Sequence, residues 1–282
     1  MKKNDWLEEY KRNVKSQYGE DGIIEKIMEI IPNKNNWCVE FGAWDGELLS
    51  NTWNLISNHN YNAVLIECEE DRFNQLKYNY LKNPKVISIN KFIHFSGVNT
   101  LDTILSSTNI PINFDFISID IDANDYHIWD SLKKYKPKLV VIEFNPTIPN
   151  DIVFIQQRNF DVVQGSSLAA FVKLAKTKGY ELISTTVNNA FFIDKEYFSL
   201  YGISDNSIFY LRKYNSDVES RVFTLFDGTV VWEGNRTNVQ TGYKIPVEKL
   251  QFLHKILRRF IGRKRKPIII KILYGIHRIL FK

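Results

Sequence analysis

Short β-rich runs alternate with amphipathic helical segments between residues 37 and 193, and this alternation restricts the chain to few folds. It is typical of a parallel sheet whose crossover helices cover both faces. The predicted strands are 37–41, 63–67, 86–90, 114–120, 139–144, 181–187 and a last one near 191–193. The predicted helices are 21–31, 51–57, 70–81, 100–106, 125–135 and 167–178. The sequence therefore predicts a doubly wound α/β domain whose ligands bind beyond the carboxyl ends of the strands.

Composition supports a folded, enzyme-sized protein. The chain has 282 residues, of which 44% are hydrophobic and 14% aromatic, and these values are ordinary for globular proteins. The charged segment 1–13 lacks the apolar stretch of a secretory signal, so we expect a cytoplasmic location. Cys38 and Cys68 are expected to be buried, reduced thiols. The five histidines form no metal-ligand pair and the cysteines form no CxxC motif, so a zinc site is not indicated.

Charge is distributed unevenly along the chain. Residues 249–282 contain eleven Lys or Arg and no Asp or Glu, which gives this segment +11 and the rest about −6. A basic tail on an acidic body argues against a general nucleic-acid surface and for local contact with an anionic partner. We divide the chain into a main domain at 1–213, an accessory β-hairpin at 214–247 around Asp227 and Gly228, and a basic tail at 248–282.

Apolar residues at helical spacing on both sides of Pro267 predict two short amphipathic helices in the tail. Packing of these helices on the protein's own body or on a second subunit is one interpretation. The basic residues between 258 and 266 favour another, peripheral attachment to an anionic inner membrane face. The segment 268–281 contains Lys271 and is shorter than the roughly 20 residues that a membrane span requires.

The loop that follows the first predicted strand has the features of a cofactor site. An acid ends the strand, glycines then let the backbone approach a ligand, and a helix N-terminus follows. A dinucleotide fingerprint would need glycine where Trp44 stands, so an oxidoreductase using a dinucleotide or nucleotide-sugar is the disfavoured alternative. The predicted cofactor contacts in this loop are Glu40, Gly42, Ala43, Asp45 and Gly46.

An S-adenosylmethionine site needs no pyrophosphate cradle and is compatible with Trp44. Glu67, at the end of the second strand, could accept both ribose hydroxyl protons, and Glu40 would lie near the methionine ammonium. Either acid alone could be a solvated strand-end residue. Two acids on consecutive strands, with two glycines after the first, favour a cofactor site. Asn51 is predicted to cap the next helix, with cofactor contact as the alternative.

A second group of acids, Asp120, Asp122 and Asp125, follows the fourth predicted strand. On a strand, Asp120 and Asp122 share a face, so their charges require a cation or a shared proton. Asp125 is predicted to act only at the start of the next helix. Asp122 is the candidate general base, and His127 is a second candidate, although a surface role is the more common one for such a histidine.

Glu143 and Asn145 follow the fifth predicted strand and bring further oxygen ligands towards Asp120. Asp120, Glu143 and Asn145 could hold Mg²⁺ with several waters, and the metal would then acidify a hydroxyl for Asp122. A base that works without a metal is the competing hypothesis.

Several motifs, in order, carry a family resemblance: SQYGEDG at 16–22, EFGAWDG at 40–46, SN at 50–51, IDIDANDY at 119–126 and EFNP at 143–146. Together they resemble the FkbM-type S-adenosylmethionine-dependent methyltransferases over about residues 14–193. The resemblance implies a class I methyltransferase fold and, commonly, O-methylation of sugars or polyketide-like hydroxyls. It also implies that the N-terminal motif closes over the cofactor, with Gln17 and Tyr18 as contacts.

The element formed by Asp120 and Asp122 is also similar to metal-dependent sugar methyltransferases related to macrocin O-methyltransferase. In those enzymes the first acid binds Mg²⁺ and the second serves as base. Asp120 is in addition a candidate cofactor contact in this chain. They carry two adjacent acids at the end of the fifth strand, whereas here Glu143 is followed by Phe144. We expect a sugar or glycan acceptor, surface-polysaccharide or lipid-linked. A non-catalytic scaffold of glycan assembly, a different small-molecule acceptor and a homo-oligomer remain alternatives.

Overall fold

A seven-stranded sheet forms the centre of the first of two units into which the chain divides, Met1–Lys213. Its strands run in the order β3-β2-β1-β4-β5-β7-β6. Neighbours from β3 to β5 are parallel, whereas β7 is antiparallel to both β5 and β6. This order is that of the Rossmann-like class I methyltransferase fold, so the predicted fold class is confirmed. The strands are β1 Trp37–Phe41, β2 Asn62–Glu67, β3 Val86–Asn90, β4 Phe116–Ile119, β5 Leu139–Glu143, β6 Tyr180–Thr185 and β7 Asn189–Asp194.

The computed structural model describes residues 3–122, 124–213, 215–238 and 241–251, with single positions at 272, 275, 276 and 279. The two amphipathic helices predicted for the tail fall almost wholly outside these residues and stay a prediction. Among the residues that the structure describes, no helix has the length and apolar character needed to cross a membrane.

Helices cover both faces of the sheet because alternate residues of each strand face opposite layers. Val39 and Phe41 of β1 belong to one hydrophobic core, which includes residues of α4, α5 and α6. Cys38 belongs to the other, which includes residues of α1, α2 and α3. The helices are α1 Glu20–Ile30, α2 Trp53–His59, α3 Glu70–Asn79, α4 Leu101–Ser106, α5 Asp125–Ser131, α6 Leu168–Lys178, α7 Lys195–Phe198 and α8 Ile208–Leu211.

The fourth strand differs from its predicted range in a way that matters for the site. β4 ends at Ile119, so the acids that follow it lie in a loop and not on the strand. α5 ends at Ser131, four residues earlier than predicted, because the carboxylate of Asp102 accepts N–H groups of the segment 133–135 and holds it in a loop. Cys38 is buried as expected, but the prediction that Cys68 is buried is wrong, since it is exposed.

The second unit, Tyr214–Lys282, contains an antiparallel hairpin of β8 Ser220–Thr224 and β9 Val230–Gly234. Its turn is closed by the N–H of Leu225, which donates to the carbonyl of Thr229 at 2.9 Å. Gly228 has a φ of 77°, which glycine adopts without steric cost. A short 3₁₀ helix, Val247–Leu250, follows the hairpin.

Candidate functional site

The loop after β1 packs directly on the loop after β4, at the point where the strand order reverses. Gly42 has a φ of 71°, and a Cβ at this position would overlap the backbone carbonyl oxygen of Asp120. Gly46 has a φ of 78°, and a Cβ there would meet the side chains of Tyr80 and Leu76. The sequence pattern predicts that both glycines let the backbone approach a ligand. Contacts within the protein already explain why glycine is required at both positions.

Glu40 is buried and fixes the end of the same loop. Its carboxylate accepts the hydroxyls of Ser50 and Thr52, both at 2.6 Å, and the backbone N–H of Asn51 at 2.8 Å. Burial raises the pKa of Glu40, these hydrogen bonds lower it, and the nearby charge of Asp120 raises it further. Glu40 therefore anchors the loop to β1 while its carboxyl group stays close to the acids beyond β4.

The prediction that Asn51 caps α2 is wrong. The N-cap residue is Thr52, and the carboxamide of Asn51 donates instead to the hydroxyl of Ser118 in β4 at 3.0 Å. This orientation follows from the backbone of Asn51, whose N–H is held by Glu40. The Asn51 side chain is therefore part of the buried polar network between β1 and β4.

Glu67, at the end of β2, is also buried and holds two loops. One oxygen accepts the N–H of Trp44 and the other that of Glu69, both at 2.8 Å. Trp44 has a φ of 50°, and the guanidinium carbon of Arg72 lies 3.8 Å from the centre of its indole ring. The other two predicted residues of this loop, Ala43 and Asp45, make hydrogen bonds with backbone groups. The backbone N–H of Ala43 donates to the carbonyl of Ile66. The carboxylate of Asp45 accepts the N–H groups of Glu47 and Leu48.

The N-terminal motif lies at the same edge of the sheet. Asp21 accepts the N–H groups of residues 14, 15 and 16 at 2.7–2.8 Å, which fixes the segment before α1. Glu20 is fully buried and accepts the N–H of Tyr18, the hydroxyl of Thr186 and the amide of Asn189. The side chains of Gln17 and Tyr18 are exposed. Glu20 is not among the site residues predicted from sequence, although its position within the motif at 16–22 is a usable signal.

Asp120, Asp122 and Glu143 form an acidic cluster beyond β4 and β5, with one oxygen from each residue within 4.8 Å of the others. Asp120 and Asp122 do not share a strand face as predicted, because β4 ends before them. A left-handed backbone at Asp122, with a φ of 61°, turns its side chain towards the other two acids. The amide of Asn188 donates to Glu143 at 2.8 Å.

The side chain of Asn145 makes its hydrogen bonds within the loop after β5. Its side-chain oxygen accepts the N–H and the hydroxyl of Thr147, at 2.9 and 2.7 Å, and its amide donates to the carbonyl of Gln164. The metal-ligand set predicted from sequence, with Asn145 beside Asp120 and Glu143, stays a prediction. The three acids that approach one another are Asp120, Asp122 and Glu143.

The electrostatics of the acidic cluster favour a cation or a shared proton. Burial raises the pKa of Glu143, and the charge of Asp120 raises it further. Burial and the charge of Asp122 raise the pKa of Asp120, while a hydrogen bond with Glu143 opposes the shift. Within the described residues, no Lys or Arg forms an ion pair with these three acids. Two adjacent, partly buried carboxyls without a cation favour a shared proton over two full charges.

Asp125 lies in the first turn of α5, as predicted, and its side chain is also buried. Asn124 is the N-cap residue of α5, and the carboxyl of Asp125 accepts the N–H of Ile121 at 2.9 Å. Burial raises the pKa of Asp125 to about 8, and the charge of Asp120 adds to the shift. Asp125 therefore helps to hold the loop that carries Asp122.

We expect Asp125→Asn to change stability in a pH-dependent way. The folded pKa of about 8 lies above the ordinary value of 3.8, so the carboxyl stabilises the fold fully below pH 4 and this contribution is lost as the pH rises through 8. Asparagine keeps an oxygen for the Ile121 N–H and cannot ionise. In EDTA, the variant should match the wild type at pH 4 and be more stable by about 1–3 kcal/mol at pH 9. Urea unfolding at both pH values measures this, and an equal effect at both would contradict the buried ionisation.

His127 contacts a backbone carbonyl through Nε2, which leaves only Nδ1 as a possible proton acceptor. Its Nε2 lies 2.9 Å from the carbonyl oxygen of Gln156. A carbonyl can only accept, so this nitrogen carries a proton and cannot remove another. The histidine thus connects α5 to the long loop after β5, as does Asn124, whose amide donates to the carbonyl of Asn159 at 3.1 Å.

An aromatic cluster that sequence analysis did not identify lies over these loops. It is formed by Phe92, His94 and Phe95, from the loop after β3, and Phe160, from the loop after β5. Phe95 stacks on Phe160 with centroids 4.7 Å apart, and Phe92 meets Phe160 edge-on at 4.8 Å. Phe92 remains 45% exposed. The run of aromatic residues at 92–95 was the available signal.

Comparison with known proteins gives low similarity throughout. No family model and no curated protein matches this chain. The N-terminal domain of EvdMO1, solved in the presence of SAH and D-fucose, has 11% identity over 62% of this chain and 80% of its own, with a TM-score of 0.41. A SAM-dependent methyltransferase from Aquifex aeolicus has 13% identity over 68% and 97%, with a TM-score of 0.38. TrmK of M. capricolum, in complex with S-adenosyl-homocysteine, has 13% identity over 60% and 65%, with a TM-score of 0.36.

Proposed function

We propose that this chain is an S-adenosylmethionine-dependent O-methyltransferase that acts on a hydroxyl of a sugar or glycan. The observation that carries the proposal is the concentration of acids at the carboxyl edge of the sheet. Glu40 is the penultimate residue of β1 and Glu67 is the last residue of β2, and the acidic cluster of Asp120, Asp122 and Glu143 lies beside them. This edge is where ligands of open α/β sheets bind.

The negative charge of these acids favours S-adenosylmethionine over a dinucleotide. S-adenosylmethionine carries an ammonium and a sulfonium, and cations lower the cost of burying several carboxylates together. A pyrophosphate would add negative charge to the same edge and meet Trp44 in the loop after β1. Glu40 would hold the ammonium and Glu67 the ribose hydroxyls. The hydrogen bonds that both acids make to the protein backbone and to hydroxyl groups orient them for this role.

Asp122 is the acid best suited to act as general base. It is exposed, whereas Asp120 is half-buried and shares a hydrogen bond with Glu143. When bound, the cofactor supplies a methyl carbon bonded to positive sulfur, which the acceptor oxygen attacks as the carbon–sulfur bond breaks. Asp122 takes the proton of that hydroxyl, while Asp120 and Glu143 orient the oxygen. These two acids would also hold Mg²⁺, which would make the hydroxyl more acidic.

The aromatic cluster supports an acceptor with apolar ring faces, such as a sugar. The contact between Asn124 and Asn159 brings the loop that carries Phe160 to the start of α5, two residues beyond Asp122. Aromatic faces contribute apolar area, and nearby carboxylates accept hydroxyl protons. This combination suits a polyhydroxylated ring, surface-polysaccharide or lipid-linked.

Transfer of a radiolabelled methyl group from S-adenosylmethionine to a panel of bacterial glycans and lipid-linked saccharides tests the proposal. We expect one acceptor class to be labelled, and S-adenosylhomocysteine to raise the melting temperature while NAD does not. Stabilisation by NAD alone would favour the oxidoreductase alternative. Stabilisation by S-adenosylhomocysteine without labelling of any glycan would favour the scaffold or another small-molecule acceptor.

We expect Mg²⁺ to raise the melting temperature of EDTA-treated protein through the acidic cluster. The three acids are hard oxygen ligands, and a divalent cation would remove their mutual repulsion. Glu143→Gln keeps an oxygen for Asn188 and removes one charge, so it should weaken Mg²⁺ binding about tenfold or more. Glu29→Gln, at an exposed position in α1, is the matched control. If EDTA leaves methyl transfer unchanged and Mg²⁺ shifts neither protein, the reaction uses a base without a metal.

A further inference from the structure

The hairpin of the second unit carries apolar side chains where a turn is normally polar. Leu225 and Phe226 lie in the turn between β8 and β9, and Phe226 is fully exposed. Hairpin turns favour Gly, Asn, Asp, Ser and Pro. Here Asp227 and Gly228 supply the turn geometry, since Asp227 accepts the N–H of Thr229 at 2.9 Å. Phe226 is therefore not needed to form the turn.

The apolar surface extends from the turn into the strand. Val222 and Phe223 of β8 are 53% and 45% exposed, and Leu225 is half-exposed. We call Val222, Phe223, Leu225 and Phe226 the hairpin tip. Contiguous exposed apolar residues of this kind mark a surface that meets another apolar phase or partner.

The basic segment of the chain begins at the same end of the hairpin. Val230 is the first residue of β9 after the turn, and its N–H donates to the side-chain oxygen of Gln251 at 3.1 Å. The amide of Gln251 returns a hydrogen bond to the carbonyl of Val230 at 2.6 Å. Gln251 is thus fixed beside the turn, and the chain beyond it contains ten Lys or Arg and no Asp or Glu up to residue 282.

We propose that the hairpin tip inserts into the interface of an anionic lipid bilayer. Apolar side chains that enter the interface and basic residues that attract anionic headgroups together give stable peripheral binding, and each alone is weak. The tip supplies the first and the segment from 252 onward supplies the second. The lipid surface is favoured over an acidic protein because the tip itself presents hydrocarbon and two aromatic rings.

Flotation of the full-length protein with vesicles tests this. Wild type should float with phosphatidylglycerol-containing vesicles and not with pure phosphatidylcholine vesicles. Phe226→Asn should lower the partition coefficient about tenfold, since it removes one buried aromatic side chain from the interface. Phe209→Asn, which changes an exposed phenylalanine in the first unit, is the matched control and should float like wild type. Circular dichroism checks that both variants fold.

A fluorescent label reports insertion independently of affinity. An environment-sensitive dye on Phe226→Cys, in a Cys68→Ser background, should shift to shorter wavelength with anionic vesicles and be quenched by lipid-borne quenchers. Unchanged flotation of Phe226→Asn, or a dye that remains in water, would overturn the proposal. A changed sedimentation coefficient of Phe226→Asn with unchanged flotation would also overturn the proposal. It would indicate that a second copy of the chain covers the tip.

Discussion

Replacement of Asp122 by Asn should lower methyl transfer by about 10²–10⁴-fold, the usual contribution of a positioned general base. The carboxyl is exposed, lies within 4.8 Å of Asp120 and Glu143, and is held there by a left-handed backbone that asparagine also tolerates. The variant keeps the shape of the loop and loses only the proton acceptor. Affinity for S-adenosylhomocysteine, measured by calorimetry, should change less than about threefold.

The matched control for this prediction is Asp130→Asn. Asp130 lies in α5, near Asp122 in sequence, and forms a partly exposed ion pair with Lys133 at 3.3 Å. Exposed pairs of this kind contribute little to stability, so this variant should retain full activity. A rate for Asp122→Asn close to that of Asp130→Asn would assign the base elsewhere. A loss of cofactor affinity that parallels the loss of rate would instead make Asp122 a binding residue.

The positions of most strands and helices could be predicted because they depend on local patterns. β1 and β3 begin and end where apolar periodicity placed them, and α6 begins one residue after its predicted start. The hydroxyl of Ser167 caps α6 and Gly179 ends it, and both signals are readable from sequence. The α/β order followed from these elements alone.

The partners of the site residues could not be predicted, because they are distant in the chain. Glu20 reaches Thr186 and Asn189, more than 160 residues away, and Glu143 reaches Asn188. The end of β4 was missed because Asp120 continues an apolar run in sequence, whereas in the fold it enters the loop that meets Gly42. Asp120 and Asp122 do lie close together, as predicted. The prediction rested on strand alternation, however, and the strand ends before both residues.

The close contact at Gly42 implies that a single methyl group there should disrupt both the fold and the site. Alanine at a φ of 71° is strained, and its Cβ would overlap the carbonyl oxygen of Asp120, a backbone atom that cannot move without shifting the acidic cluster. We expect Gly42→Ala to lose about 3–5 kcal/mol of unfolding free energy in urea.

Gly97→Ala separates the cost of the left-handed backbone from the cost of the steric overlap at Gly42. Gly97 has a φ of 81°, similar to that of Gly42, but a Cβ there would meet no atom within 4 Å. This variant should lose only about 1 kcal/mol, the cost of the left-handed backbone for alanine. If both variants are destabilised equally, the loops after β1 and β4 can separate without cost. A larger loss at Gly42, accompanied by weaker binding of S-adenosylhomocysteine, would show that this contact holds the loop after β1 and the acidic cluster in one arrangement.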